Sequence, residues 1–486
     1  MSSTSARPRT PATRSATPSR RRAPRRAPAP FPATPRSRRL VGDVLVTLAG
    51  LGLGTVVAIE LLTRSSLGGP GALLTEAGRW TALVGTYASL LLLVLVARVP
   101  LVERAVGLDR LMKWHRVLGP VALLLIGAHV VLVTAGYAAD VSMSFLAQTW
   151  SFLTTYSWMP SAIAGFVLMV VGGVTSWRVA RRRMKYETWW VTHLYFYLAI
   201  ALAYLHQVTY GQQFVDHAWA RWIWIAFYVG TAALLLVFRV GAPLWQSLRM
   251  DLRVHAVQRE SHDTVSVWIA GRGVDRFRLR GGQFFGFRFL TRDGWWQSHP
   301  YSVSAGSSPQ YLRITVKDLG DHSRGLTSLR TGTRVVVEGP YGIFTADDRR
   351  TDKVVLVGGG VGVTPVRAIL DDLPKDVEID FLYRAHRAED LVLRRELEAI
   401  AKHRGKRMRL RYLVGSRHDY PINARTLQHL VPDIASCDVY TCGPGPLVDA
   451  VVEATRVLGM PEERVHHESF SFHSPDTYAF ERQESR

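Results

Sequence analysis

The sequence predicts a multidomain membrane protein: six apolar helices, a small antiparallel β-barrel, then a doubly wound α/β domain. Six apolar runs, each about long enough to cross a ~30 Å hydrocarbon core, fill the first half. From about Asp251 the apolar pattern changes to period 2. From about Lys353 strands alternate with helical patterns.

Residues 1–39 hold eleven Arg and no acidic residue among Pro, Ser, Thr and Ala. Such a segment cannot bury enough apolar surface to offset its ordering entropy, so 1–40 reads as a disordered basic cytosolic tail. It carries about half of the net charge of +21. Beside a membrane span, this charge is a topology signal and an anionic-lipid contact. No readout motif accompanies it, so nucleic acid is not an expected partner. The tail is too long for a secretory signal, and further apolar runs follow it. Cys437 and Cys442 are the only cysteines. They exclude a disulfide framework and an intrinsic cysteine-ligated iron–sulfur cluster.

The apolar runs lie near 41–62, 80–98, 115–136, 159–177, 189–208 and 219–238. Loop charge orients them. The stretch 98–114 holds Arg98, Arg104, Arg110 and Lys113; 178–188 holds Arg178, Arg181, Arg182, Arg183 and Lys185. Loops 137–158 and 207–218 hold no Lys or Arg. Basic loops stay inside, which places both termini in the cytosol and the chain in the cell's plasma (inner) membrane.

"LRVHAV", "TVSVWIA", "QFFGFRF", "YLRITVK" and "TRVVVEG", separated by Gly, Asp and Ser turns, are the strands of the expected barrel over 248–346. "KVVLVGG", "EIDFLYR", "RLRYLVG" and "DVYTC" are the strands of a parallel sheet over 353–472. Helical patterns at 364–373, 389–403 and 446–458 separate them, and 473–486 is a tail. The membrane part is 41–240. There is no internal repeat.

The third run carries His115 and His129, the fifth His193 and His206. Ionisable side chains are expensive in hydrocarbon and mark function; a single His would more simply be an interhelical hydrogen bond. Each pair separates by about 20 Å along its helix, giving two depths with one imidazole from each helix. Two ligands per depth fit bis-imidazole haem better than zinc, which takes three or four at one place. A spacing of thirteen turns the second His about 140° from the first on an ideal helix. A tightened 3₁₀ stretch, or haems at different azimuths, absorbs this.

His-x13-His on the third span and His-x12-His on the fifth is similar to the pattern of the ferric reductase and NADPH oxidase superfamily. Six spans with cytosolic termini before a ferredoxin-reductase-like flavin and nicotinamide module resemble the same architecture, over roughly 41–472. This resemblance implies two haems b held by His115, His193, His129 and His206, together with FAD and NADPH, NADH being the other option. "HPYSVS" at 299–304 resembles the flavin motif. It implies His299 on the diphosphate, beside Pro300, with Tyr301 against the flavin and Ser302 donating near N5. His at 299, where soluble relatives have Arg, leans towards the membrane branch. "VKDLGDHSRGL" resembles a second phosphate element, in which Ser323, Arg324 and Gly325 offer hydroxyl, guanidinium and N–H groups. An ordinary polar loop is the plain alternative.

"VVLVGGGVGVTPVRAIL" places Gly358, Gly359, Gly360 and Gly362 after a buried strand. Thr364 is the expected N-cap and Pro365 the first helical residue. Glycines admit a pyrophosphate, and the helix N-terminus favours its charge. The third Gly of G-x-G-x-x-G is missing; the run matches instead the reductase form ending in Thr-Pro. "TCGPGPL" resembles the element beside the nicotinamide, which puts Cys442 and Gly443 near the hydride path. No His-based triad supports a catalytic thiol. "HHESFSF" at 466–472 resembles a terminal acidic–aromatic element. Glu468 lines the nicotinamide site and Phe470, or Phe472, covers the flavin. Arg384 and Arg417, after the second and third strands of the parallel sheet, favour NADPH, unless they are solvated loop charges.

Together these features imply transfer from cytosolic NAD(P)H through FAD and two haems to an external acceptor, O₂ or a ferric complex. Arg79 is either a haem-propionate or superoxide contact, or an interfacial anchor. The alternative of another class is a haem-binding sensor or electron-transfer partner subunit without enzymatic activity.

Overall fold

The computed structural model describes residues 35–469 apart from 65–67, 182, 185, 293 and 309. The basic tail lies outside the described residues as far as 34. Residues 35–40, read as tail, already belong to the first helix, which starts at a proline, a residue suited to the first helical position. The C-terminal tail, Phe470 and Phe472 lie outside the described residues.

The membrane half comprises α1 (Pro35–Leu62), α2 (Ala72–Leu95), α3 (Pro100–Val106), α4 (Leu108–Asp140), α5 (Phe145–Thr155) and α6 (Met159–Ser176). It continues through α7 (Arg178–Arg181), α8 (Tyr186–Leu202), α9 (Tyr204–Tyr210), α10 (Gln212–Val215), α11 (Ala218–Leu235) and α12 (Ala242–Met250). Six stretches are long and apolar enough to span, among them Thr188–Tyr210 and the continuous Ala218–Met250. Two depart from expectation. The second span begins at Ala72 rather than near 80, because Glu76 finds a cation inside the fold, 3.2 Å from Arg64. The last runs on past 238 to Met250 through a π-turn at Leu236–Gly241, just ahead of Pro243, whose missing N–H such a turn accommodates.

Glycines set the spacing of these helices. A Cβ on Gly165 of α6 would sit 2.7 Å from the Ala199 carbonyl oxygen of α8, and one on Gly172 would meet the Phe196 ring. Gly78 and Gly85 of α2 face Val133 and Leu125–Ile126 of α4 in the same way. Small residues seven apart let backbones approach where lipid offers no hydrophobic drive. The products are two tight pairs, α2 with α4 and α6 with α8, whereas α4 and α8 scarcely touch.

Antiparallel strands β1 (Arg253–Arg259), β2 (Thr264–Ala270), β3 (Phe284–Phe289), β4 (His299–Ser302), β5 (Tyr311–Lys317) and β6 (Val335–Tyr341) follow. They do not close into the expected barrel. Two open three-stranded sheets, β1-β2-β5 and β4-β3-β6, touch through isolated bridges at Val303–Ile314 and Arg253–Arg334. Closure needs continuous ladders at matched shear, and the four-residue β4 is too short to supply one. The sheets enclose Phe285, Phe287, Phe289, Val267, Ile269 and Ile314. A short helix, α13 (Asp321–Gly325), follows β5.

The last domain is the expected doubly wound sheet. Its elements are β7 (Lys353–Gly359), α14 (Val363–Asp372), β8 (Glu378–Ala385), α15 (Arg394–Arg404), β9 (Met408–Val414), α16 (Ala424–Leu430), β10 (Asp438–Gly443), α17 (Gly445–Val457) and β11 (Val465–Ser469). All five strands are parallel in the order β11-β10-β7-β8-β9. The chain reverses direction across the sheet between β7 and β10, the place where such folds open a crevice for ligands. α15 starts at Arg394 rather than 389 because Leu393 is left-handed (φ 56°), which an α-helix cannot pass through. α16, not foreseen, is capped by Asn423, whose side-chain oxygen accepts from Thr426 N–H.

Overpacking the α6–α8 contact should cost stability. Gly165→Val is expected to lose about 1–3 kcal/mol, read as a lower unfolding temperature in detergent. Gly54→Val, where a Cβ meets open space, should leave that temperature nearly unchanged.

Candidate functional site

The four histidines come together as two pairs. His115 of α4 and His193 of α8 have ring centres 6.1 Å apart; His129 of α4 and His206 of α9 lie 6.5 Å apart. Two imidazoles trans on one metal at about 2.0–2.1 Å, each ring centre about 1.1 Å behind its nitrogen, stand roughly 6 Å apart. Both pairs face across the gap between α4 and α8, and all four side chains are only half-buried. A Cβ on Gly119, one turn from His115, would meet nothing within 4 Å. Among the described residues no group of three or more His, Cys, Asp or Glu could hold a metal ion. The donor set therefore suits a planar group held axially rather than a compact zinc site.

Outer-shell contacts set the tautomers. The Gly78 carbonyl accepts from His129 Nδ1 at 3.0 Å, which leaves Nε2 unprotonated in the neutral ring and able to act as a ligand. Ser176 Oγ stands 3.1 Å from His193 Nδ1 and accepts from Trp189 Nε1 at 3.3 Å. The thirteen-residue spacing is reconciled by a break. The helix stops at Leu202 and restarts at Tyr204, and the Leu202 carbonyl accepts from Ser161 Oγ at 3.1 Å. Arg79 donates to Gln212 Oε1 at 2.6 Å and lies 3.9 Å from Glu76, inside a polar cluster at one end of the bundle.

"HPYS" forms β4, an edge strand, where Pro300 costs no ladder bond. Tyr301 and Ser302 lie opposite Phe285 and Phe284. Ser302 is buried, and the Tyr301 ring stands 6.2 Å from Phe287. His299 faces a residue the sequence reading passed over, His322 of α13, at 3.4 Å between ring centres. Burial, and for His299 also the neighbouring His322, depresses both imidazoles, to about 3 and about 4. The second phosphate element is turned inward. Ser323 Oγ donates to the Gly320 carbonyl and accepts from Leu319 N–H, and Arg324 pairs with Asp318 at 3.1 Å. Gly325 has open space at its Cβ position.

The glycine run divides into two kinds. A Cβ on Gly362 would lie 2.5 Å from the Cys442 carbonyl and from Gly443 Cα. One on Gly359 would meet Leu447, and one on Gly358 would meet Val363. Gly359 and Gly362 let β10 and α17 close onto the turn, and Gly358 lets the start of α14 pack back on β7. Gly360 alone combines a left-handed φ of 53° with open space, so it is the one able to face a ligand. Residues 360–362 wind as a 3₁₀ turn with Gly362 as N-cap. Thr364 and Pro365 are thus the second and third helical residues, not the expected cap and first. The Thr364 hydroxyl donates to the Val361 carbonyl at 2.9 Å.

Cys442 pairs with Gly358 on one side and Glu468 on the other, at the carboxyl end of the sheet. Its thiol is fully buried, and burial pushes it well above its usual range, so it stays neutral. Arg384, opposite Gly359, donates to the Tyr420 and Gly415 carbonyls at 2.9 and 3.5 Å. It thereby ties down the loop that carries the exposed Arg417. A second unforeseen group joins the two soluble domains. Arg313 of β5 holds Ser304, the last residue of "HPYSVS", and Glu396 of α15; Arg367 of α14 shares Glu396. Only the fold brings residues so distant in sequence together.

Three family models match successive parts of the chain. The ferric reductase like transmembrane component covers 81–204, an FAD-binding domain 250–345, and the oxidoreductase NAD-binding domain 356–453. The glycine betaine monooxygenase reductase subunit of Chromohalobacter salexigens is 30% identical over 49% of this chain and 69% of its own length. The ferredoxin reductase component of 3-ketosteroid-9-alpha-monooxygenase from Rhodococcus rhodochrous is 31% identical over 47% and 67%. Among solved structures, the flavohem-like FAD/NAD binding domain of nitric oxide dioxygenase from Vibrio cholerae is 24% identical, with a TM-score of 0.38. That match covers 45% of this chain and 98% of the other. The chain belongs to the ferric-reductase-like proteins, as a multi-pass NAD(P)H-dependent oxidoreductase carrying a ferredoxin-reductase-type FAD- and NAD-binding module.

Proposed function

We propose that this protein carries electrons from cytosolic NAD(P)H across the cell membrane to an external one-electron acceptor, a ferric complex or O₂. The paired imidazoles at two depths, on a chain with flavin and nicotinamide domains, carry this reading. In it, 41–240 is the haem-holding membrane domain, 248–346 the flavin domain and 353–472 the nicotinamide domain. The basic loops keep both termini in the cytosol. When bound, FAD divides a hydride into single electrons, and two haems b conduct them one at a time.

The chain's own residues bind and orient. His115 with His193 holds the inner haem, and His129 with His206 the outer. The Gly78 carbonyl and Ser176 fix two of these rings through Nδ1. With two histidines on each iron, these residues would leave the haems to supply electron transfer without binding the acceptor. In the flavin domain His299 and Pro300 meet the diphosphate, and Tyr301 packs on the flavin. Ser302 holds a hydrogen bond near N5, and Ser323, Arg324 and Gly325 close over the phosphates once Arg324 leaves Asp318. The pyrophosphate of the dinucleotide lies on Gly360, with Gly358, Gly359, Gly362, Thr364 and Pro365 shaping the turn. Cys442, Gly443 and Glu468 border the nicotinamide. Arg384 and Arg417 select the 2′-phosphate.

Three outcomes test these assignments. His129→Ala or His206→Ala should remove one haem and leave NADPH-driven reduction of the other; His115→Ala or His193→Ala should block transfer earlier. Haem stoichiometry and reduced difference spectra measure this, and unchanged haem content in all four variants would overturn the ligand assignment. Arg384→Ala should raise the KM for NADPH roughly tenfold or more, with little change for NADH, since a charge-assisted contact is worth about 1.5–3 kcal/mol.

The third outcome concerns pH. His299 and His322 titrate near 3 and 4 when folded but near 6.5 when exposed. The unfolded chain therefore binds more protons between these values. Their contribution to stability is complete above about pH 6.5 and is lost as pH falls towards 4. The unfolding temperature of the FAD-free protein should fall over this window, and His322→Phe should flatten the slope.

A further inference from the structure

We propose that Trp190 and Trp296 are positioning residues: their contact seats the flavin domain on the cytosolic mouth of the inner histidine pair and sets the rate of electron delivery. This rests on the electron route proposed above. Trp190 lies on α8 one turn before His193, and Trp296 lies in the β3–β4 connection, three residues before His299. Their rings are 6.0 Å apart at 37°. The contact joins the helix that bears an inner ligand to the loop that enters the flavin motif.

Each end is tied to its site. On α8, the neighbouring Trp189 stacks on His193 at 5.2 Å, its Nε1 donates to the Ser176 hydroxyl, and Arg181 lies 4.3 Å over its ring. On the loop, Gln297 Oε1 stands 3.4 Å from His299 Nε2. Other described contacts between the membrane and flavin domains include the Met250 carbonyl, which accepts from Arg272 N–H at 2.7 Å, and a group on the opposite edge of the β4-β3-β6 sheet. There Arg98 covers Tyr341 at 4.8 Å, Arg239 lies 3.8 Å from Glu338, and Gly107 abuts Ile343. Relative domain motion is the default for small interfaces. The indole pair adds support on the β4 side, the side that carries "HPYS".

Per turnover, NAD(P)H becomes NAD(P)⁺ and H⁺ on the cytosolic side, and two electrons cross singly to reduce two external acceptors. The indoles are not oxidised; they hold donor and acceptor at a fixed distance. Since a misplacement of about 1 Å can cost ~10²-fold in rate, losing the contact should slow the step between flavin and haem and spare hydride transfer.

The test uses full-length protein loaded with FAD and haem in nanodiscs, mixed with NADPH in a stopped-flow instrument. Trp190→Ala and Trp296→Ala should bleach the flavin at the wild-type rate yet reduce haem at least about tenfold more slowly. The double variant should be no slower than either single one, and Trp296→Phe should restore most of the rate. Haem reduction unchanged in the Ala variants, or losses that multiply in the double variant, would overturn the proposal. A readout independent of turnover is crosslinking of a Trp190→Cys/Trp296→Cys protein by a short bis-maleimide, both native cysteines being buried. Efficient crosslinking supports the contact, and none refutes it. If wild-type haem stays oxidised with NADPH while the crosslink forms, the electron route has failed and the docking contact has not.

Discussion

An imidazole inside hydrocarbon has no water to fall back on, and the helix bundle is arranged around that constraint. Two of the four rings, His129 and His193, spend one nitrogen on the protein and leave the other for whatever fills the gap between α4 and α8. His129 spends Nδ1 on the Gly78 carbonyl, a group free to accept only because α2 and α4 approach closely there. His193 spends its Nδ1 on Ser176, at the end of α6. The glycines that pull the helices into pairs therefore serve the histidines twice. They bring hydrogen-bond partners within reach, and they leave the opposite faces of α4 and α8 apart.

The soluble half obeys a related rule with different means. At the switch point of the parallel sheet, Gly359 and Gly362 give up their side chains so that Cys442, Gly443 and Leu447 can close in, Gly358 does so for Val363, and Gly360 is left open. The site is thus formed by what is missing as much as by what is present. Its two walls belong to different domains, and the Arg313–Glu396–Arg367 cluster fixes their relation. Because Arg313 also grips Ser304, the flavin strand cannot shift without disturbing the nicotinamide domain.

Much of this was readable from sequence wherever a residue type is costly in its surroundings. Histidines in apolar runs, glycines after a buried strand and arginines in membrane loops each stand out, and the paired rings, the parallel sheet and the six spans follow them. Features that depend on distant partners were not readable. His322 is one polar residue in a polar loop until the fold lays it on His299, and Trp190 and Trp296 are ordinary aromatics until α8 meets the β3–β4 connection. The expected barrel failed for a related reason: alternation reports which face of a strand is buried, not whether the ladders meet. Thr364 was misplaced because three consecutive glycine-rich positions wound into a turn before the helix began.

The interruption at Ala203 has a consequence for how such chains can change. An uninterrupted helix needs fourteen residues to bring two ligands onto one face, and this span achieves the alignment with thirteen by stopping and restarting once. The two spacings are therefore two solutions to one alignment problem, separated by a single codon. Insertion of one residue beside Ala203 would be absorbed by healing the break. The same insertion between His115 and His129 in the continuous α4 would swing one ligand out of register with the other by about 100°. Between the ligands of the two histidine-bearing spans, tolerance to a one-residue insertion lies at that joint.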